Sequence, residues 1–463
     1  MSIKLHFHGA AGGVTGSCFR LQSDQASVLI DCGLFQGPKT LKELNYRRFP
    51  FDPEGLDAVL LTHAHVDHSG LLPKLMLAGF SGPIHATAGT RELCNVMLAD
   101  AGGIQEHEVE QLNRRFQRRG RRPVEPIYTA DDARDCMRQF SNVRYDDWID
   151  AAPGLRARWW DAGHILGSAS IEVEVQDDGA PLRLLFSGDI GPGSSDFAGD
   201  PQGPVGADHL IVESTYGKAE RPRLSGEERR RLLGAEVKAA HEAGGPLLIP
   251  AFAVERTQEL IADLIELMQS GAAPPAQIFL DSPLAVRASE VFFRRGRNAE
   301  GANPFASIRG SSLFHTTESV DESEALEQLR GWHIIIAASG MCDAGRVRHH
   351  LNVCSGRRPP PSCWSATRRS ARSAASCRRA RRGSGSRARK SACTPRSAAW
   401  TFTPATPTAR TCWRGLRPAP RSAARSSWST ASPTAAAPCS SGCSMRAMMR
   451  RGFRRPSSTT ASG

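Results

Sequence analysis

The stretch LTHAHVDHSG, residues 61–70, constrains this chain more than any other. It sets His63, His65, Asp67 and His68 within six residues, directly after the apolar run AVLLT (58–62). Such a run reads as a buried strand. A strand that ends in a loop and then a helix puts all four side chains at one edge of a sheet, the usual ligand edge of α/β folds. Imidazole and carboxylate suit zinc, and four such groups exceed what one tetrahedral ion takes from a single loop. Two metal ions are the expected solution. The bland alternative is a polar loop that is histidine-rich by chance.

Later residues extend the set. His164 lies in DAGHILGSAS and Asp189 in LLFSGDIG, each where an apolar stretch gives way to glycine. Alone, either is more often structural. Their order and flanking glycines make them candidate ligands. Asp31 ends the run SVLI (27–30) and is the candidate carboxylate that orients a ligand from behind. Its plainer role, capping a turn, is compatible with that one. His6 and His8 alternate along an expected strand and read as structural.

The 463 residues suffice for two or three domains. No apolar stretch is long enough for a membrane span, and the N-terminus lacks a signal-peptide layout. A cytoplasmic protein is expected. Cys18, Cys32, Cys94, Cys136 and Cys342 contain no CxxC pair and read as reduced thiols.

The formal net charge of +12 suggests nucleic acid, but its distribution does not. From residue 352 onward stand 22 Arg and one Lys, with no Asp or Glu. Residues 1–351 therefore hold 59 − 23 = 36 basic and 47 acidic groups, a net of −11. Bulk charge draws no polyanion to the body. One local exception is RRFQRRGRR, residues 114–122, read either as a solvated helix face or as an RNA-facing loop.

The chain changes character at about residue 352. Before it, buried-strand runs alternate with helical patterns at 70–79 and 257–268. After Leu351 there is no Ile, Tyr, His, Asp, Glu or Gln. Such a segment cannot bury enough apolar surface to offset its ordering entropy and is expected to be disordered. A sharper reading is translation out of frame. Joining the last base of each codon to the first two of the next, residues 363–368 permit Leu-Val-Gly-Tyr-Gln. Residues 400–408 permit Asp-Val-Tyr-Ser-Gly-His-Ala-Asp, and 425–434 permit Val-Phe-Leu-Val-His-Gly-Glu-Pro-Asp. All three use one offset.

HAHVDH, His164, Asp189 and the preceding Asp31 resemble the metallo-β-lactamase superfamily. LIVESTYG with Glu213, LIPAFAVERTQEL (248–260), IFLDSPLA (278–285) and SGMCDAGRVRHHL (339–351) are similar to its β-CASP branch of RNA-processing nucleases. The resemblance implies an α/β chain. An αββα sandwich over 1–205 would carry a partial β-CASP domain over 206–351, with the basic tail at 352–463. It implies two zinc ions: one on His63, His65 and His164, the other on Asp67 and His68, with Asp189 and a hydroxide bridging. Glu213 and Asp67 join Asp189 and Asp31 as catalytic candidates. Arg256, Ser339, Gly340 and Arg346 are candidate RNA contacts. The family's S-x-H-x-D histidine, thought to protonate the leaving group, and its H-G-E zinc ligand are missing as written. Both are restored by the shifted frame. The printed chain is accordingly expected to bind the second zinc weakly and to be nearly inactive.

RNA is the expected partner, no membrane is, and a homodimer is compatible with the sequence. Three rival readings stand beside this one. They are a small-molecule hydrolase of the same superfamily, a DNA-processing β-CASP enzyme, and a non-enzymatic RNA-binding protein acting through its arginine-rich tail.

Overall fold

Two sheets face each other across an apolar core in this computed structural model. It describes residues 3–176, 179–193, 198–217, 224–296, 303, 305–342, 345–356 and 445–448. The first sheet holds β1 (Lys4–Phe7), β2 (Phe19–Gln22), β3 (Ser27–Ile30), β4 (Ala58–Leu60), β5 (Ile84–Thr87) and β6 (Phe140–Val143) in sequence order. Pairing is antiparallel from β1 to β3 and parallel from β3 to β6. The second sheet runs through β7 (Trp148–Ala152), β8 (Leu155–Asp161), β9 (Ala169–Val175) and β10 (Leu182–Phe186) as an antiparallel meander. β11 (His209–Glu213) then joins β10 in parallel.

Alternation decides which side chains meet between the sheets. On β8, Leu155, Ala157 and Trp159 point inward with Ile171 and Val173 of β9, against Leu21, Val28 and Leu60 of the first sheet. Arg156 and Arg158 point outward, to Glu174 at 2.7 Å and Glu172 at 3.0 Å. Trp159 is fully buried, and its indole N–H donates to Leu61 O at 3.1 Å. That bond ties the second sheet to the strand leading into the histidine loop. Truncating Trp159 to Ala would cost about 3–5 kcal/mol. The other face of the first sheet, through Leu29, Val59 and Ile84, packs under the helices Leu72–Leu77, Ala88–Gln117 and Ala130–Cys136.

A second unit is built on a parallel sheet of β12 (Leu247–Pro250), β13 (Gln277–Asp281), β14 (Phe314–Thr317) and β15 (His333–Ala337), in the order β12-β15-β13-β14. Helices Gly226–Ala243, Arg256–Gln269 and Pro283–Arg295 accompany it. Helix Pro283–Arg295 lies along Ala88–Gln117, with Arg287 on Asp100 at 2.7 Å and Arg294 on Glu92 at 3.3 Å. Exposed pairs of this kind contribute about 0–1 kcal/mol each. The continuous core beneath them holds the units together.

Two boundaries differ from the sequence reading. The first sandwich extends to Glu213 rather than stopping at 205, because β11 pairs with β10. The helix Val347–Gly356 continues past residue 351. Within the tail, Met445–Met448 forms β16, antiparallel to β11 at the sheet edge. The expected disorder of 352–463 otherwise falls outside the described residues. Among the described residues, no helix is long and apolar enough to cross a membrane.

Candidate metal centre

β4 ends at Leu60, and the chain turns at once into the histidine loop and the short helix Val66–Ser69. The loop after β8 brings in His164, and the turn after β10 brings in Asp189. Two glycines allow these segments to touch. A Cβ on Gly191 would lie 1.6 Å from Gly163 O, and one on Gly33 would lie 1.7 Å from Asp67 O. Gly191 N–H also donates to Ala162 O at 2.7 Å, clamping the Asp189 turn to the His164 loop.

His63, His65, His164 and Asp189 each offer a ligand atom, and these atoms lie within 4.8 Å of one another. His65 Nδ1 is 3.1 Å from His63 Nε2 and 3.3 Å from His164 Nε2. Asp189 Oδ2 is 3.6 Å from His164 Nε2 and 3.8 Å from His63 Nε2. Its other oxygen, Oδ1, faces His68 Nε2 at 3.3 Å. Asp67 and His68 lie outside the quartet. Asp67 is on the same short helix, near enough to His68 and Asp189 for their charges to act on it.

Asp31 organises the loop from behind. It is buried, with φ +59°, and accepts from Thr62 N–H and the Thr62 hydroxyl, both at 2.9 Å on Oδ1. The Ser17 hydroxyl donates to its Oδ2 at 3.1 Å, and His68 Nδ1 lies 2.7 Å from the same oxygen. Thr62 Oγ1 in turn lies 3.0 Å from His63 Nδ1. With its proton committed to Asp31, the hydroxyl accepts from His63 Nδ1–H. His63 thus carries its proton on Nδ1 and presents its Nε2 lone pair to the centre, while His68 donates Nδ1–H to Asp31 and turns Nε2 toward Asp189.

Electrostatics agree with a cation site. Burial, then neighbouring His68, holds His63 well below the usual imidazole range. Burial, then His164, pushes His65 down to about 3. Neutral imidazoles keep their lone pairs for a metal. Burial opposes charge on Asp189, yet the imidazoles around it, His68 foremost, hold it well below the carboxylate range. Burial opposes charge on His68 too, but Asp189 and Asp31 raise it well above. Burial and then Asp189 push Glu213 up to about 7, and burial pushes Asp67 up to about 6. Glu213 Oε1 accepts from Ile190 N–H at 2.9 Å, fixing the residue beside Asp189. Three imidazoles and a carboxylate, buried or half-buried and convergent, fit a divalent ion.

Candidate substrate residues fall on the second unit. Arg256 pairs with Glu259 at 2.7 Å. Arg346 donates to Asp281 at 2.6 Å and to Glu318 O at 2.5 Å. Ser339 Oγ accepts from Met341 N–H, and Gly340 packs against Ala251 and Phe252. Sequence reasoning missed Thr62, Ser17 and Ser168, whose Oγ accepts from the His164 and Ile165 amides at 3.0 and 3.1 Å. The position of Thr62 directly before the first histidine was the available signal. Nothing local marked Ser17 or Ser168.

Comparison with known proteins bears directly on this site. A metallo-beta-lactamase superfamily model matches residues 11–230, and a Beta-Casp domain model matches 257–358. Ribonuclease TTHA0252 of Thermus thermophilus is 35% identical over 352 residues, covering 74% of each chain. This chain belongs to the β-CASP family of metallo-β-lactamase-fold RNA nucleases. As a β-CASP protein it is a metal-dependent, RNA-cleaving hydrolase. It is also 30% identical to the transcription termination factor FttA of Methanocaldococcus jannaschii over 361 residues, 75% of this chain and 53% of that one. The FttA of Pyrococcus abyssi is 32% identical over 359 residues, 71% of this chain and 50% of that one. The chain spans about half the length of these termination factors.

Proposed function

We propose that this nuclease hydrolyses RNA phosphodiesters with two zinc ions. The observation that carries the reading is the double-sided Asp189 carboxylate, with Oδ2 toward His63 and His164 and Oδ1 toward His68. A carboxylate so placed belongs between two cations. His63, His65 and His164 would hold one, and Asp67 and His68 the other. Ions held there would supply a water acidified to a pKa of about 7 and would screen charge on the phosphate oxygens.

The chain's own residues do the positioning. Asp31, with Ser17 and Thr62, fixes the tautomers of His63 and His68. Glu213 holds the Asp189 turn through Ile190 N–H. Ser339 and Gly340 are the RNA contacts we favour on the second unit, since Arg256 and Arg346 are engaged with carboxylates there. The second zinc's last ligand and the leaving-group acid would come from the shifted frame.

The test compares the printed chain with a chain whose frame is restored after residue 351. Both are assayed on labelled RNA and on a chromogenic lactam, with zinc and with chelator. Metal-dependent RNA cleavage by the restored chain, a much weaker rate from the printed one and no lactam turnover are expected. Cleavage that persists in chelator, or lactam turnover, overturns the reading.

A further inference from the structure

The loop carrying His164 answers most of its own amides. Ala162 N–H donates to Ser168 O at 3.1 Å, and Gly163 N–H to Asp161 Oδ1 at 2.8 Å. The His164 and Ile165 amides share Ser168 Oγ at 3.0 and 3.1 Å. Ser168 N–H closes the turn on Ile165 O at 2.9 Å. Leu166 N–H instead turns out of the loop. It donates across to Glu255 Oε2, at 3.2 Å, on the second unit.

Glu255 holds an unusual backbone. Its φ is +64° and its ψ −65°, and Arg256 N–H donates to Val254 O at 2.9 Å. That is a γ-turn of the rarer, strained hand. Glycine would adopt it freely, whereas any residue with a Cβ is strained there. The side chain is nonetheless buried, in the turn that leads from β12 into the helix Arg256–Gln269. What a glycine would lack is the acceptor that Leu166 uses.

We propose that Glu255 is a positioning residue through which the β-CASP unit braces the His164 loop, so that metal affinity depends on this contact between units. The proposal rests on the metal-centre reading above. A carboxyl group in either protonation state can accept here. Burial, then neighbouring Glu259, holds this one well above the ordinary range, so a glutamine is the close mimic.

The test uses full-length Glu255→Ala, Glu255→Gly and Glu255→Gln, with His164→Ala as control. Zinc and cobalt affinities are measured by competition titration, and unfolding temperature is measured in chelator. Ala and Gly both remove the acceptor, but only Gly relieves the backbone. Gly is therefore expected to unfold at a higher temperature than Ala, while both lose metal affinity equally, by about tenfold, as for other partners behind a ligand. Gln is expected to restore affinity to near the unmodified value. If affinity instead follows unfolding temperature, Glu255 is merely structural and the inference falls. It falls equally if Gln binds as weakly as Ala, or if all three bind normally. His164→Ala separates the two ideas. Unchanged affinity in that control sinks the metal-centre reading itself, whereas lost affinity there with normal Glu255 variants sinks only the brace.

Discussion

Asp31 Oδ2 lies 2.7 Å from His68 Nδ1, and both side chains are buried. The same imidazole reaches Asp189 with its other nitrogen. One imidazole therefore separates Asp31 from Asp189. Asp31→Asn removes the charge but keeps the shape. Metal affinity is expected to fall about 10–100-fold. Competition titration with a chromophoric chelator checks this, and equal affinities refute the role.

Asp189 faces both halves of the site, so its loss should be felt by both. Asp189→Ala is expected to release both ions. RNA cleavage should drop by more than the roughly 10–100-fold typical of an outer partner. His164→Ala should weaken one ion more than the other. Metal counting by native mass spectrometry distinguishes the two variants. Identical losses would argue against a bridging carboxylate.

Asp281 is a separate, structural centre. Ser323 and Thr317 hydroxyls donate to it at 2.6 and 2.7 Å, Arg346 at 2.6 Å, and His350 Nε2 lies at 2.5 Å. Burial opposes its charge, but these hydrogen bonds, His350 first, hold it well below the carboxylate range. A depressed folded-state pKa gives stability that is present above the unfolded value of about 3.9 and lost as pH falls through the folded one. Asp281→Asn is expected to cost about 3–5 kcal/mol at neutral pH, since it leaves Arg346 without its buried partner. The gap from the unmodified protein should narrow only below about pH 4. Urea unfolding at several pH values measures it, and a pH-independent gap contradicts the assignment.

Arg118, Arg119, Arg121 and Arg122 lie beyond the end of the helix Ala88–Gln117, about 45 Å from its start at the His164 loop. No ion pair reaches them among the described residues. Reversing all four to Glu should leave folding intact and weaken RNA binding. The slope of log affinity against log salt should become shallower by about 3, at about 0.7 per phosphate contact on a single strand. Fluorescence anisotropy across a salt series reads this directly. An unchanged slope returns the segment to a solvated helix end.

The proposed shift of frame makes a plain genetic prediction. Sequencing the gene across codons 350–356 should show one base too few or too many. An intact frame there would leave the basic tail as a genuine part of the protein.

Much of the centre was legible before folding. HAHVDH after an apolar run, His164 and Asp189 beside glycines, and Asp31 at a strand end are local patterns, and strand ends are where such ligands gather. The strands over 27–30 and 58–60 and the helix over 256–269 follow from apolar periodicity alone. Arg256 and Arg346 were less legible. A motif marks them, but not whether their guanidinium groups face substrate or a carboxylate of their own unit.

The sequence by itself determined the types of the candidate ligands, their order and the strands that carry them, because these depend on residue identity and short-range spacing. Only the tertiary structure decided that Thr62 and Ser17 hold Asp31, that β11 completes the first sandwich, and that Glu255 reaches Leu166. Those contacts join residues far apart in the chain. They exist because close packing brings distant backbones together and leaves each buried polar group to find whichever partner arrives beside it.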